Sequence, residues 1–256
     1  MGGRRGRMCR LLGLIASGPV DLEFSLERFR RLAREHPDGW GMGWYEGGEA
    51  RVFKQGISAL DPESKLPQLS RSVKSSIILC HVRRASCGRV RGENSHPFRF
   101  DNWIFAHNGT VDREQLRRKL RGRYAEGLEG ETDSEVYFRW LLQCLEGEGG
   151  VEEGIGVAVE EARRSAKGAL NFLLSDGEHL YAFRLGESLH RLRRGPGELS
   201  CSSPETGALL RGKLLRGERA VLVCSERLTE EGWEEVGEGS LLRIGGDLRV
   251  REVRLL

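Results

Sequence analysis

The sequence of 256 residues lacks the features that mark several specialised classes of protein. No apolar run approaches the ~18–20 residues that cross a membrane as a helix. The basic start at residues 2–7 precedes too short an apolar run for a secretory signal. The six cysteines form no C-x-x-C pair, which disfavours a structural zinc site and a dense disulfide scaffold. We therefore expect a soluble cytoplasmic protein with mostly reduced, buried thiols and no membrane partner.

An excess of charge of one sign is also missing. Lysine and arginine total 41 and aspartate and glutamate total 38, which leaves a net charge of +3 spread along the sequence. Such a balance disfavours an electrostatic nucleic-acid binder. The Arg-Gly-rich start could suit RNA, but no pattern of aromatic side chains for base stacking accompanies it. We expect no nucleic-acid partner.

Features of a second domain are absent too. The sequence has no internal repeat, and nothing after Leu145 resembles a phosphate-binding loop or the glycine pattern of a dinucleotide-binding fold. No pattern indicates a metal or an organic cofactor. Apolar residues make up 38% of the chain, and a chain of this length buries about 70–75% of its unfolded surface. We expect one globular domain over residues 9–256.

Short apolar runs bounded by turn residues predict strands, and apolar residues at helical spacing predict helices. The predicted strands are 9–16, 76–82, 103–107, 220–224 and 241–244, with hairpins at 40–45/50–53 and 170–174/180–183. The predicted helices are 21–35, 112–120 and 133–145. Gly18-Pro19 is expected to end the first strand, and residues 147–150 are expected to form a loop. The order of elements predicts a layered α+β domain with antiparallel sheets.

Cys9 opens the first predicted strand directly after a methionine. Its position alone favours a buried, inert thiol. If translation begins at Met8 and this methionine is trimmed, or if the first eight residues are removed, Cys9 carries a free α-amine. The reference pKa of that amine, about 7.7–8.0, suits a general base beside a thiol. Residues 1–8 are therefore interpreted as a cleaved leader or a mis-assigned start.

Polar clusters follow two later predicted strands, and another polar cluster lies at the start of a predicted helix. Arg83 offers a planar fork of donors that suits a carboxylate, although an exposed arginine is the commoner case. In Asn108-Gly109, which ordinarily forms a turn, the amide and the next backbone N–H could instead face a developing oxyanion. Asp133 belongs to an ordinary helix-capping signal, yet a partly buried carboxylate there could hold an ammonium group. His96, in a turn, is by itself a common loop residue.

The order and spacing of these clusters resemble those of the class II glutamine amidotransferases, which are N-terminal nucleophile hydrolases. The resemblance covers about Cys9 to Leu142. It rests on the cysteine strand followed by Arg-x-Ala-Ser, Asn-Ser-His-Pro, His-Asn-Gly and Thr-Asp-Ser-Glu. The segment 38–44, the hairpin 170–183 and Ser225-Glu226 are similar to a stand-alone branch that includes γ-glutamyl hydrolases of thiol metabolism. The resemblance implies a four-layer αββα sandwich of two antiparallel sheets.

The resemblance also implies roles for individual residues. Those matching catalytic positions are Cys9 as nucleophile and Asn108 and Gly109 as oxyanion donors. Those matching substrate-binding positions are Arg83 for the α-carboxylate, Asp133 for the α-amino group, and Ser86 and His96 in the same pocket. Two positions depart from the family pattern: Arg84 stands where tryptophan is common, and Ser86 replaces threonine but keeps the hydroxyl.

The implied activity is cleavage of a γ-glutamyl amide through a thioester at Cys9, which releases glutamate and ammonia or an amine. The expected partner is a small-molecule substrate, glutamine or another γ-glutamyl compound, and no cofactor is needed. Three alternatives remain at this point. Ammonia could pass to a separate synthase subunit, the substrate could be a larger γ-glutamyl compound, or the protein could be an inactive binding or regulatory protein that retains residues 1–8.

Overall fold

A computed structural model of the chain describes residues 9–20, 28–147, 149–195, 218–230 and 232–256. Three sequence predictions fall wholly or partly outside these ranges. They are the interpretation of residues 1–8, most of the helix predicted over 21–35, and the state of Cys201. Within the predicted helix, residues 28–31 are helical and continue into a 3₁₀ turn at Leu32–Arg34.

The described ranges contain thirteen strands and four further α-helices. The strands are β1 (Arg10–Val20), β2 (Trp40–Glu46), β3 (Glu49–Gln55), β4 (Ser75–Val82), β5 (Phe98–Phe100), β6 (Trp103–Gly109), β7 (Leu170–Ser175), β8 (His179–Phe183), β9 (His190–Arg194), β10 (Ala220–Cys224), β11 (Glu234–Glu235), β12 (Ser240–Gly245) and β13 (Val250–Arg254). The helices are α1 (Leu66–Ser72), α2 (Arg113–Arg117), α3 (Asp133–Leu145) and α4 (Val151–Arg163).

The strands form two antiparallel sheets. The first has the order β11-β9-β10-β1-β4-β2-β3, and the second has the order β13-β12-β8-β7-β6-β5. Strand β1 lies near the centre of the first sheet, where Leu12 pairs with Cys224 of β10 and with Cys80 of β4. Strand β6 pairs with β7 in the second sheet. The prediction of an α+β fold with two antiparallel sheets is confirmed.

Three apolar clusters show how the layers stack. Because side chains alternate between the faces of a strand, Leu11 and Ile15 of β1 point toward the second sheet and pack with residues such as Leu173 and Ile244. Leu12 and Leu14 point the other way, toward Phe29 and helix α1. The outer face of the second sheet packs against α3 and α4. Each sheet is therefore covered by helices on its outer face, which gives the four-layer αββα order.

Strand β1 is longer than the sequence predicted. It runs through Gly18-Pro19 to Val20, so the prediction that this pair ends the strand is wrong. The pairing of β1 with β4 is irregular between Ile15 and Val20. An interruption of the ladder accommodates proline because the missing N–H is not required there.

Candidate active site

One pocket opens where four chain segments meet: the start of β1, the chain after β4, the end of β6 and the start of α3. It is lined by Cys9, Arg83, Arg84, Ser86, Cys87, His96, His107, Asn108, Gly109, Thr110, Thr132, Asp133 and Ser134. Antiparallel pairing sets Arg10 of β1 opposite Val82 of β4, which brings the start of β1 beside the end of β4. The end of β6 and the start of α3 complete the walls. All seven site residues predicted from the sequence lie in this pocket, which we call the head-group pocket.

Cys9 is held by the chain just after β4. Its Sγ lies 3.3 Å from the carbonyl oxygen of Arg84 and accepts a hydrogen bond from the Arg84 N–H at 3.2 Å. Burial raises the pKa of the thiol, and this effect exceeds the opposing effects of the Arg84 N–H and the charge of Arg83. The sulfur therefore needs a base to become a nucleophilic thiolate.

Arg83 is a buried cation without a described carboxylate partner. Arg83 as a whole residue is only 3% exposed. The guanidinium donates to the carbonyl oxygens of Arg89 at 3.0 Å and of Cys87 at 2.6 Å. Carbonyl groups orient the guanidinium but do not neutralise it. A buried charge of this kind is stabilised when an anion binds beside it.

Asp133 is the corresponding buried anion, and its residue is 5% exposed. One carboxylate oxygen accepts from the Val111 N–H at 2.8 Å, and the other lies 3.1 Å from the thiol of Cys87. Thr132 caps α3 through the Glu135 N–H, so Asp133 is free to turn into the pocket. No cationic side chain in the described ranges forms an ion pair with it.

These two residues give the head-group pocket a definite chemical preference. A guanidinium suits a carboxylate, and a carboxylate suits an ammonium group. Since Arg83 and Asp133 line the same small cavity, the pair complements the zwitterionic head group of an α-amino acid. Cys9 adds a thiol to the lining of the same cavity.

Asn108 and Gly109 end strand β6. The Asn108 side chain is buried, and its Oδ1 has no hydrogen-bond partner among the described residues. Gly109 is packed so closely that an added Cβ would overlap the carbonyl oxygen of Ala169 and the ring of His107. A side-chain amide and a tightly held backbone at one corner of the cavity form a suitable site for an oxyanion.

Neighbouring polar residues support the loop that carries Arg83. Asp38 accepts from the Ala85 N–H at 2.9 Å, and the Arg83 N–H donates to the Gly39 carbonyl at 2.8 Å. This explains why the segment 38–44 accompanies the Arg-x-Ala-Ser cluster in the sequence. Ser86, by contrast, is exposed on the rim of the pocket.

The sequence reasoning missed Cys87, His81 and His107, and it did not foresee that His96 is buried beside His81. His81 and His96 lie with ring centroids 4.3 Å apart, and both ring nitrogens of each have no described partner. His107 bonds Ser134 through Nδ1 at 3.0 Å. His96 is thus a buried residue and not an ordinary loop histidine. The signal that could have found them is that all three stand beside or within apolar strand patterns.

Burial keeps these histidines neutral. It lowers the pKa of His81 to about 3 and that of His107 to about 4, and it lowers the pKa of His96 well below 6.5. The charge of nearby Arg83 lowers the pKa of His81 further. At neutral pH the pocket wall therefore contributes polar rings without positive charge, and Arg83 remains its buried cation.

The protein is expected to lose stability below pH 6.5. An unfolded histidine binds a proton near pH 6.5, whereas in the folded chain His107 excludes that proton until about pH 4 and His81 until about pH 3. The full free energy of unfolding is therefore present above pH 6.5. Below pH 6.5, each buried histidine lowers the free energy of unfolding by about 1.4 kcal/mol per pH unit. Urea unfolding at pH 7.5 and pH 5.5 measures this change. Raising the salt concentration is the control, because salt screens surface charges but not burial. Equal stability at the two pH values would contradict the assignment.

Within the described ranges, no three His, Cys, Asp or Glu side chains are arranged to hold a metal ion. Over the same residues, every helix is too short or too polar to cross a membrane.

Comparisons with known proteins agree with the geometry. The family model described as "Glutamine amidotransferases class-II" matches residues 8–251. An Escherichia coli protein named "Putative glutamine amidotransferase YafJ" is 32% identical, over 93% of this chain and 98% of its own length. A Mycobacterium tuberculosis protein named "Gamma-glutamyl-hercynylcysteine sulfoxide hydrolase" is 30% identical, over 77% of this chain and 85% of its own length.

The solved structures agree on the fold. The structure of a glutamine aminotransferase class-II domain protein from Silicibacter pomeroyi superposes with a TM-score of 0.64 and 24% identity, covering 97% of this chain and 100% of that one. This likeness confirms the sandwich architecture. The family model, which spans nearly the whole chain, confirms the resemblance seen in the sequence and the prediction of an enzyme family. The chain belongs to the class II glutamine amidotransferases.

Proposed function

We propose that the protein hydrolyses a γ-glutamyl amide through a thioester at Cys9, with residues 9–256 forming one catalytic domain in the cytoplasm. The observation that carries the proposal is the pairing of buried Arg83 and buried Asp133 in the cavity that holds Cys9. These charges fix the α-carboxylate and the α-amino group of the substrate. The side-chain amide of a bound glutamine then extends toward Cys9 and Asn108. Ser86 and His96 complete the walls.

The first step generates the thiolate. Burial raises the pKa of the Cys9 thiol, so a nearby base must remove its proton. In the proposal, that base is the α-amine of Cys9 itself, which is free when residues 1–8 are absent. The amine takes the thiol proton directly or through one water. A free α-amine has a pKa of about 7.7–8.0 and is partly unprotonated at neutral pH.

The next steps exchange the amide for a thioester. The thiolate forms a C–S bond to the side-chain carbonyl carbon, and the resulting oxyanion is held by the Asn108 amide and the Gly109 N–H. The C–N bond breaks as the protonated α-amine returns its proton to the leaving nitrogen. A water, deprotonated by the same amine, then opens the thioester and releases glutamate. Ammonia from glutamine leaves to solvent or to a separate synthase subunit.

N-terminal sequencing of the active protein, combined with a glutamate-release assay, tests the proposal. We expect glutamate release to rise in proportion to the fraction of chains that begin at Cys9. Chains that retain residues 1–8 are expected to be slower by about 10²–10⁴-fold, which is the usual contribution of a general base. Full activity in chains that retain all eight residues would contradict the amine mechanism, and no glutamate release from either form would favour the inactive binding protein.

A further inference from the structure

A second pocket shares Asn108 with the head-group pocket. Its walls are Arg10, Asn108, Glu187, Ser188, His190, Ser225, Glu226 and Arg227. Glu226 forms an ion pair with Arg10, the residue that follows Cys9. Ser225 accepts from the Leu11 N–H at 3.0 Å. The Ser225-Glu226 motif, which the proposed mechanism does not use, thus joins the nucleophile strand to this pocket.

The reaction geometry gives this pocket a role. In the tetrahedral intermediate, the reacting carbon carries Sγ of Cys9, an oxyanion, the glutamyl chain and the leaving nitrogen. Asn108 takes the oxyanion, and the head-group pocket takes the glutamyl chain. The second pocket shares Asn108 with the head-group pocket and is lined by Arg10, the residue that follows Cys9, so it is the neighbouring cavity that a leaving group can enter.

The size of the second pocket argues against ammonia as its natural occupant. Its cavity volume is about 400 Å³, against about 50 Å³ for the head-group pocket. A water molecule, which is similar in size to ammonia, needs only ~10–15 Å³ of such space. The larger pocket therefore accommodates a leaving group of many atoms.

The charges of the second pocket indicate the chemistry of that group. Glu226 is neutralised by Arg10, whereas the half-buried Glu187 carboxylate and the exposed Arg227 guanidinium have no ion-pair partner in the described ranges. Ser188 and His190 add further polar atoms to the lining. An arginine at the rim suits a carboxylate, and Glu187 accepts hydrogen-bond donors and repels a carboxylate from the inner wall.

We propose that the second pocket binds the leaving group and that this group is an amine carrying a carboxylate, as in the γ-glutamyl amide of an amino acid. Arg227 binds the carboxylate, which makes it a specificity-determining residue. This inference rests on the proposed function. Hydrolysis then consumes one water and yields glutamate and a free amino acid, whose nitrogen takes the proton that leaves Cys9.

Two matched substrates test the inference on the full protein. The leaving groups of γ-glutamylglycine and γ-glutamylethylamide are similar in size, but only the first carries a carboxylate. We expect a higher kcat/KM for γ-glutamylglycine in the wild type. Arg227→Gln is expected to lower that value about tenfold, the usual effect of losing one charge-assisted hydrogen bond. Its kcat/KM for γ-glutamylethylamide and for glutamine is expected to stay within about twofold.

Arg249→Gln is the control variant, because Arg249 is an arginine with a 92% exposed side chain that lines neither pocket. It is expected to match the wild type on all three substrates. An Arg227→Gln variant that affects γ-glutamylglycine and γ-glutamylethylamide equally, or neither, overturns the inference. A wild type that releases no glutamate from any of the three substrates instead overturns the proposed function on which the inference rests.

Discussion

Replacing Cys9 with alanine is expected to abolish glutamate release, leaving only the rate of a mock preparation. The sulfur is the one group in the head-group pocket that forms the proposed covalent bond, and loss of an enzyme nucleophile lowers kcat by up to about 10⁶-fold. The neighbouring Arg83 and Asp133 do not depend on the thiol for their hydrogen bonds. Glutamine should therefore still bind to the Cys9→Ala protein, and calorimetry measures that binding separately from turnover.

Cys144→Ala is the matched control for this experiment. Cys144 is a partly exposed thiol on α3 that lines neither pocket, so its loss is expected to leave turnover unchanged. Glutamate release by Cys9→Ala above the mock preparation would show that another group attacks the amide. Loss of both turnover and glutamine binding, with the fold intact, would instead show that the thiol belongs to the binding site alone.

The site could be predicted as a set of residues but not as a set of contacts. The order of Cys9, Arg83, Asn108 and Asp133 is visible in the sequence because each follows or opens a recognisable strand or helix. The hydrogen bond between Arg84 and Cys9 joins residues 75 positions apart, and such pairing depends on the register of β1 against β4. The contact of Cys87 with Asp133, 46 positions apart, is of the same kind.

The fold was predictable where periodicity is strong. Helix α3 has the predicted bounds, 133–145. Helix α4 was missed because Gly154 and Gly156 interrupt its helical pattern, and glycine weakens an isolated helix by about 1 kcal/mol. Tertiary packing explains Gly154, since a Cβ there would crowd the backbone of Leu145 on α3. Gly154 thus lowers the helix propensity of its own segment but permits the close contact between α3 and α4. The sequence of one segment alone does not show such a contact.

The charged residues of the second pocket could not be recognised from the sequence either. Its charged residues, Glu187, Glu226 and Arg227, lie on connections that follow β8 and β10, where charged side chains are ordinary. They are recognised as a group only in the folded chain, where they line one cavity together with Asn108. In the proposed function, the head-group pocket holds the glutamyl half of the substrate and the second pocket holds the leaving group, and only the folded chain brings these two cavities together at Asn108.

Asn108→Ala is expected to separate catalysis from stability. If the amide stabilises the oxyanion, its loss raises the barrier by about 2.7–4 kcal/mol and lowers kcat by 10²–10³-fold. The KM for glutamine should change little, because this interaction forms mainly in the transition state. Since Oδ1 of Asn108 has no described partner, removing it leaves no buried partner unsatisfied. The unfolding free energy is therefore expected to stay within about 1 kcal/mol of wild type.

Asn171, which pairs with Asn108 across β6 and β7, provides the opposite case. Its amide donates to the Glu187 carbonyl at 2.9 Å and accepts from the Leu185 N–H at 2.8 Å. Asn171→Ala leaves these buried groups unpaired and is expected to cost about 2–4 kcal/mol of stability, with a far smaller loss of kcat on glutamine than Asn108→Ala shows. Urea unfolding and steady-state kinetics on both variants measure the contrast. If Asn108→Ala loses stability while keeping kcat, the side chain is a structural one, and the oxyanion must be held by the backbone of Gly109 alone.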